Sequence, residues 1–162
     1  MRKFSIIAFT FLIFTFISSA FAQNENCSCN SASENDKPLG GNHVTVQNEG
    51  KVKQIRGITT FFIDDKIFKD VVVEVFEITK EEEKNISDNA WRIVENKQRK
   101  IGCITGDDGK FCFKNLQRGT YVLRIGTRTR DVEYFNSVYV VVKLNPRSGK
   151  NKEIKVGLTV AD

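Results

Sequence analysis

Four cysteines, one histidine and two adjacent acidic pairs are the residues of this 162-residue chain whose types and spacing suit chemistry. Cys27 and Cys29 stand close together in a polar stretch. Cys103 and Cys112 flank the turn-forming run Gly106-Asp107-Asp108-Gly109. A structural zinc site takes four ligands, and His43, the only histidine, brings Cys27 and Cys29 to three at most. We therefore expect no metal there, and read Cys27 and Cys29 as a local disulfide or a tether to another chain. Nucleophilic catalysis needs a base within reach of its nucleophile. No G-x-S-x-G elbow occurs, and His43 has no Ser or Cys partner at motif spacing. The expectation is no enzyme, no catalytic residue and no cofactor. Asp64-Asp65 and Asp107-Asp108 have the pattern of a calcium site or an acid/base pair. Calcium, however, wants about six to eight oxygens, and aspartate is a common turn residue for its own reasons.

Trp91 is the one tryptophan, and it lies in a charged stretch, residues 80–100, that begins acidic and ends basic (KEEEKNISDNAWRIVENKQRK). Ser87 suits the cap of a short helix presenting Ala90, Trp91 and Val94 on one side. A strand over residues 91–95 is the open alternative. A tryptophan in such a place closes the end of a core, or serves as a sugar platform or interface anchor. It is our candidate binding residue.

The elements that must position these groups are strands. Residues 101–105 and 110–113 are rich in β-branched and aromatic side chains around turn formers, a hairpin pattern. A four-residue loop would set Cys103 opposite Cys112, with Ile104, Phe111 and Phe113 on the core face. Opposed Cα atoms about 4.5 Å apart are within disulfide reach, so we expect a Cys103–Cys112 bridge. A two-residue Asp108-Gly109 turn would instead face Cys103 with Lys114 and leave both thiols unpaired. Residues 120–125 follow as a strand with Tyr121, Leu123 and Ile125 inward. Val71–Ile78, VVVEVFEI, is the clearest strand of all. Further strands are expected at 43–47, within 51–63 with a bend at Gly57, at 134–144 and at 153–160.

Thr105, Asp108, Gly109, Phe111, Phe113, Leu116, Gly119, Tyr121 and Leu123 form the run T-x-x-D-G-x-F-x-F-x-x-L-x-x-G-x-Y-x-L. With Ile55-x-Gly57 and Val71-x-Val73-x-Val75 upstream, it resembles the carboxypeptidase regulatory-like domain, a prealbumin-like (transthyretin-like) β-sandwich of bacterial envelope proteins. The likeness spans residues 52–160 and implies fold far more than function. Residues 79–100 depart from it as a charged insertion, the place of the short helix or alternative strand around Trp91. Hydroxyisourate hydrolases and intradiol dioxygenases of related topology need more histidines than this chain has.

The N-terminus reads as a secretory signal: Arg2 and Lys3, an apolar run, and Ala20-Phe21-Ala22 before a cleavage point after Ala22. Residues 23–42 read as a disordered polar linker and 43–162 as the β-sandwich domain. Without Arg2 and Lys3 the 25 basic residues fall to 23 against 20 acidic ones, a net charge of +3. So small an excess gives no reason to expect nucleic acid, and no second apolar segment follows to insert into a membrane. The full expectation is an all-β, seven- to eight-stranded antiparallel β-sandwich, secreted or periplasmic. It would bind protein or carbohydrate at the cell envelope without catalysis. The alternatives are a structural protein assembling through edge strands or the N-terminal cysteines, and a small hydrolase. Oligomeric state is left open.

Overall fold

The computed structural model describes residues 29–38, 44–86, 89–128 and 136–159. Among the described residues nine strands form two sheets: β1 (Asn30–Ser31), β2 (Val44–Val52), β3 (Ile55–Phe61), β4 (Val71–Ile78), β5 (Ile101–Ile104), β6 (Lys110–Phe113), β7 (Gly119–Thr127), β8 (Ser137–Leu144) and β9 (Ile154–Leu158). The larger sheet runs β1-β5-β4-β7-β8-β2 and the smaller β6-β3-β9. Two short helices, α1 (Lys80–Glu83) and α2 (Ala90–Glu95), lie between β4 and β5. The all-β expectation holds. The strand orientation is mixed, because β2 pairs β8 and β3 pairs β9 in parallel, while the other pairings are antiparallel.

Burial follows from this layering. Val73, Leu123 and Val140 from the large sheet share one core with Ile55, Phe111, Ile154 and Val156 from the small sheet. The opposite face of the large sheet has a second core: Phe76, Val122, Tyr139 and Val141 lie under Ile86, Ala90 and Val94. This is why β4 alternates as expected yet is buried on both faces, with Glu77 alone exposed. Burying each such apolar side chain contributes about 1.5–3 kcal/mol.

The hairpin expected at 101–113 does not form. β5 pairs with β4 and β1, whereas β6 pairs with β3 in the other sheet. Thr105 holds the crossing: its N–H donates to the Val71 carbonyl at 2.9 Å, and its Oγ1 accepts from the Val71 N–H at 3.0 Å. Side-chain alternation is satisfied equally by two strands side by side or face to face across a core, and here it is the second. The faces change with it. Cys103 pairs with Val73 and points into the core, and Ile104 is on the opposite face with Val72. Cys112 alternates with the inward Phe111 and Phe113. Cys103 is a free thiol, so the expected Cys103–Cys112 bridge is absent.

Gly57 is not a bend. It sits inside β3, where a Cβ would lie 2.3 Å from the Ile154 carbonyl oxygen and 2.4 Å from Phe111 Cζ. The absent side chain lets the Phe111 ring cross the strand.

The expected linker 23–42 needs a correction over its described residues. Residues 29–38 contain β1, and Pro38 is buried. Low hydrophobicity led to the expectation of disorder, but this segment is held through its backbone carbonyls. The signal region 1–22, Cys27, His43 and Ser87 lie outside the described residues.

Candidate functional site

The face of the large sheet turned away from the small one has the features most suggestive of function. At its centre is Glu74, 1% exposed, in the middle of β4. Arg124 on β7, its cross-strand partner, reaches Glu74 Oε2 through Nε at 2.6 Å and Nη2 at 2.5 Å. Arg99 reaches Oε1 through Nη1 at 3.3 Å. A buried carboxylate is costly unless paired and hydrogen-bonded, and two guanidinium groups meet that need. Arg99 also donates from Nη1 to the Asp36 carbonyl at 2.9 Å and from Nη2 to the Ala32 carbonyl at 3.1 Å and the Ser33 carbonyl. Residues 32–36 are thereby tied to the sheet. Ser33 donates from its hydroxyl and its N–H to Asp36 Oδ2, holding the Asp36 carboxyl below the usual range. Burial pushes the Tyr139 phenol up, against the opposing influence of Arg124.

Beside this network lies α2. The expected helix forms, with Asn89 as N-cap residue and Ala90 and Val94 buried; the strand alternative is excluded. Trp91 is half-buried against the second core together with Val46 of β2 and Ile93, and Arg92 stacks over the indole at 4.9 Å. β2 is an edge strand of the large sheet. Val46 pairs with Tyr139 and so faces α2, with Val44, 43% exposed, on the same face. Val44, Val46 and Trp91 thus mark a partly open apolar rim between a helix and a sheet edge. α1 is held by a capping box: Thr79 Oγ1 accepts from the Glu82 N–H, and the Glu82 carboxylate accepts from the Thr79 N–H at 2.8 Å.

The acidic pairs behave as turn and ion-pair residues. Asp64 accepts from the Lys66 N–H at 3.2 Å and pairs with the Lys66 ammonium at 2.7 Å, which lowers its pKa and raises that of Lys66. Asp107 pairs with Lys69 at 3.1 Å, and Asp108 accepts from the Lys110 N–H at 3.0 Å. Among the described residues no group of three or more His, Cys, Asp or Glu is placed to hold a metal ion.

The cysteines assemble in an unexpected place, the seam between the β1–β5 edge of the large sheet and the β6 edge of the small one. Cys29 hydrogen-bonds with the Cys103 thiol and donates to the Cys112 carbonyl at 3.8 Å. The Cys103 thiol beside it lowers Cys29 to about 7 despite partial burial. The same contact, with desolvation, pushes Cys103 far up. Cys29 and Cys103 are free, whereas Cys112 is disulfide-bonded.

Sequence reasoning singled out Trp91, read Cys29 only as half of a local disulfide or tether, and did not single out Glu74 or Arg99. The signal for Glu74 was present: of the two carboxylates in VVVEVFEI, Glu74 is the one with valine on both sides, on the same face as Val72 and Phe76. No family model, curated protein or solved structure matches the chain. Among the described residues no helix is long and apolar enough to cross a membrane.

Proposed function

We propose that the chain is an exported, noncatalytic β-sandwich module of prealbumin-like, carboxypeptidase regulatory-like type. It binds a protein or glycan at the cell envelope through the rim formed by α2 and β2. Export is supported by the charged start, apolar run and Ala20-Phe21-Ala22 of the sequence. The family reading is supported by the D-G-x-F-x-F run and by two sheets sharing one core. The observation that carries the binding role is Trp91, half-exposed beside Val46 with Arg92 across its ring. An indole with one covered face and one open edge gives a large, rigid contact area at low entropic cost. An adjacent guanidinium adds donors for hydroxyl or carboxylate groups.

The test immobilises the protein and measures retention of envelope extract and of purified envelope glycan. Trp91→Ala should reduce retention at least about tenfold, the effect of losing about 1.4 kcal/mol, with the circular-dichroism spectrum unchanged. Equal retention by the variant would remove the rim from the binding role.

A second reading, assembly into a larger structure, rests on a different observation. Val44, at the start of edge strand β2, is 43% exposed, and an open strand edge is a template for another chain. Light scattering that reports a strict monomer at all concentrations would count against it.

A further inference from the structure

The seam between the sheets has a pair of thiols that the binding reading does not use. Cys29 packs against the core that holds Cys103, and both thiols are free. The register explains their meeting. Ser31 is opposite Cys103 and Asn30 opposite Ile104, so Cys29, two residues before Ser31, is on the Cys103 face as a diagonal neighbour. Diagonal Cα atoms lie about 7–8 Å apart; a disulfide usually spans about 4.4–6.8 Å, so closure requires a shift of about 1 Å. β1 is only two residues long and ends a sheet, so it is the element best able to make that shift.

We propose that Cys29 and Cys103 form a dithiol–disulfide couple whose closure fastens residues 29–38 to the edge of the large sheet. The oxidant is a disulfide, either a small molecule or a protein. Cys29, the more exposed of the two, attacks as thiolate. The oxidant's S–S bond breaks, a mixed disulfide forms at Cys29, and one oxidant thiolate leaves. Cys103 then attacks the Cys29 sulfur, the Cys29–Cys103 bond forms, and the second oxidant thiolate leaves. Two protons from the protein end on the two oxidant thiols, and two electrons pass to the oxidant. The lowered titration of Cys29 supports its place as the attacking sulfur, because the thiolate is the nucleophile.

The bond has a structural consequence. The segment it secures supplies the carbonyls of Ala32, Ser33 and Asp36 to Arg99, which holds buried Glu74. In the dithiol form non-covalent contacts hold the segment, among them the two ladder pairs, the Ala32 N–H on the Gly102 carbonyl, the Arg128–Asp36 ion pair and that guanidinium. In the disulfide form a covalent bond joins them, and local opening at this end becomes rarer.

The full-length protein is exchanged from reductant into buffer with oxidised glutathione, alkylated and mapped by mass spectrometry, with hydrogen exchange compared between oxidised wild type and oxidised Cys29→Ser, which share the Cys112 disulfide. The expected result is a Cys29–Cys103 linked peptide, with exchange of residues 30–38 slowed by about tenfold or more. Cys29→Ser should abolish both changes. It leaves the buried Cys103 in place, so a folding defect from disturbing the core does not confuse the result. Recovery of Cys103 as alkylated thiol, or of Cys29 joined to glutathione or another cysteine, would overturn the proposal. So would a linked peptide without slowed exchange.

Discussion

Arg99 and Glu74 meet across the outer face of the large sheet, guanidinium Nη1 to carboxylate Oε1 at 3.3 Å, and the same guanidinium holds three carbonyls of the N-terminal segment. One side chain thus joins a buried charge at the sheet centre to the part of the chain with the fewest apolar anchors. Removing the carboxylate leaves two guanidinium groups facing each other in a confined space. Glu74→Ala should cost about 3–5 kcal/mol of stability, the usual range for breaking a buried ion pair from one side, read from the urea midpoint. A loss below about 1 kcal/mol would mean that solvent already screens the pair.

Arg99→Ala should act more locally. Protease cleavage within residues 29–38 should speed up while the core transition moves less than for Glu74→Ala, since Arg124 still holds the carboxylate. Equal cleavage of both proteins would show that β1, with the Arg128–Asp36 ion pair, holds the segment without Arg99.

Gly57→Ala places a methyl group where the Ile154 carbonyl oxygen and the Phe111 ring already are. The ring can turn aside but the carbonyl belongs to the β3–β9 ladder. We expect a loss of about 1–3 kcal/mol, only partly recovered by adding Phe111→Leu. Thermal unfolding of the single and double variants measures both values.

Cys29 should titrate early. Its folded value of about 7 lies below the ordinary 9.0 because the Cys103 thiol donates to it. A depressed value favours the thiolate in the folded state. That contribution is fully present above the unfolded value and is lost as pH falls from about 9 through about 7. Iodoacetamide labelling of Cys29 should therefore rise with a midpoint near 7. In Cys103→Ala the midpoint should move up toward the ordinary range. A wild-type midpoint near 9 would contradict the thiol–thiol contact.

Val44→Lys puts a charge on the exposed start of β2. Edge lysines block strand addition, so any self-association seen by light scattering should fall. Association that persists unchanged would locate the contact elsewhere.

The sequence made the individual strands legible and their neighbours much less so. Val71–Ile78 appears with the expected bounds, and the helix around Ala90 and Val94 appears on the expected face. Inward-facing Phe111 and Phe113 were also recovered. What failed was partner choice: Ile101–Ile104 and Lys110–Phe113 read as a hairpin because a short turn-rich link permits one, but it equally permits a step between layers. The cysteine pairing failed for the same reason. The role of residues 29–38 was hidden because carbonyl groups satisfying an arginine leave no trace in side-chain composition. Trp91 was visible by rarity; its neighbour Val46 was not, since a parallel β2–β8 pairing brings together residues remote in sequence.

That remote pairing governs how the molecule assembles. β2 needs β8, and β3 needs β9, so the earliest strands of the domain find their parallel partners only near the end of the chain. Long-range closure of this kind slows folding. While β9 is missing, Ile58 and Thr60 have no ladder on one side. A nascent chain therefore stays unfinished until β9 arrives, and a stop codon just before Ile154 would cost the small sheet its cooperativity rather than merely shorten its edge.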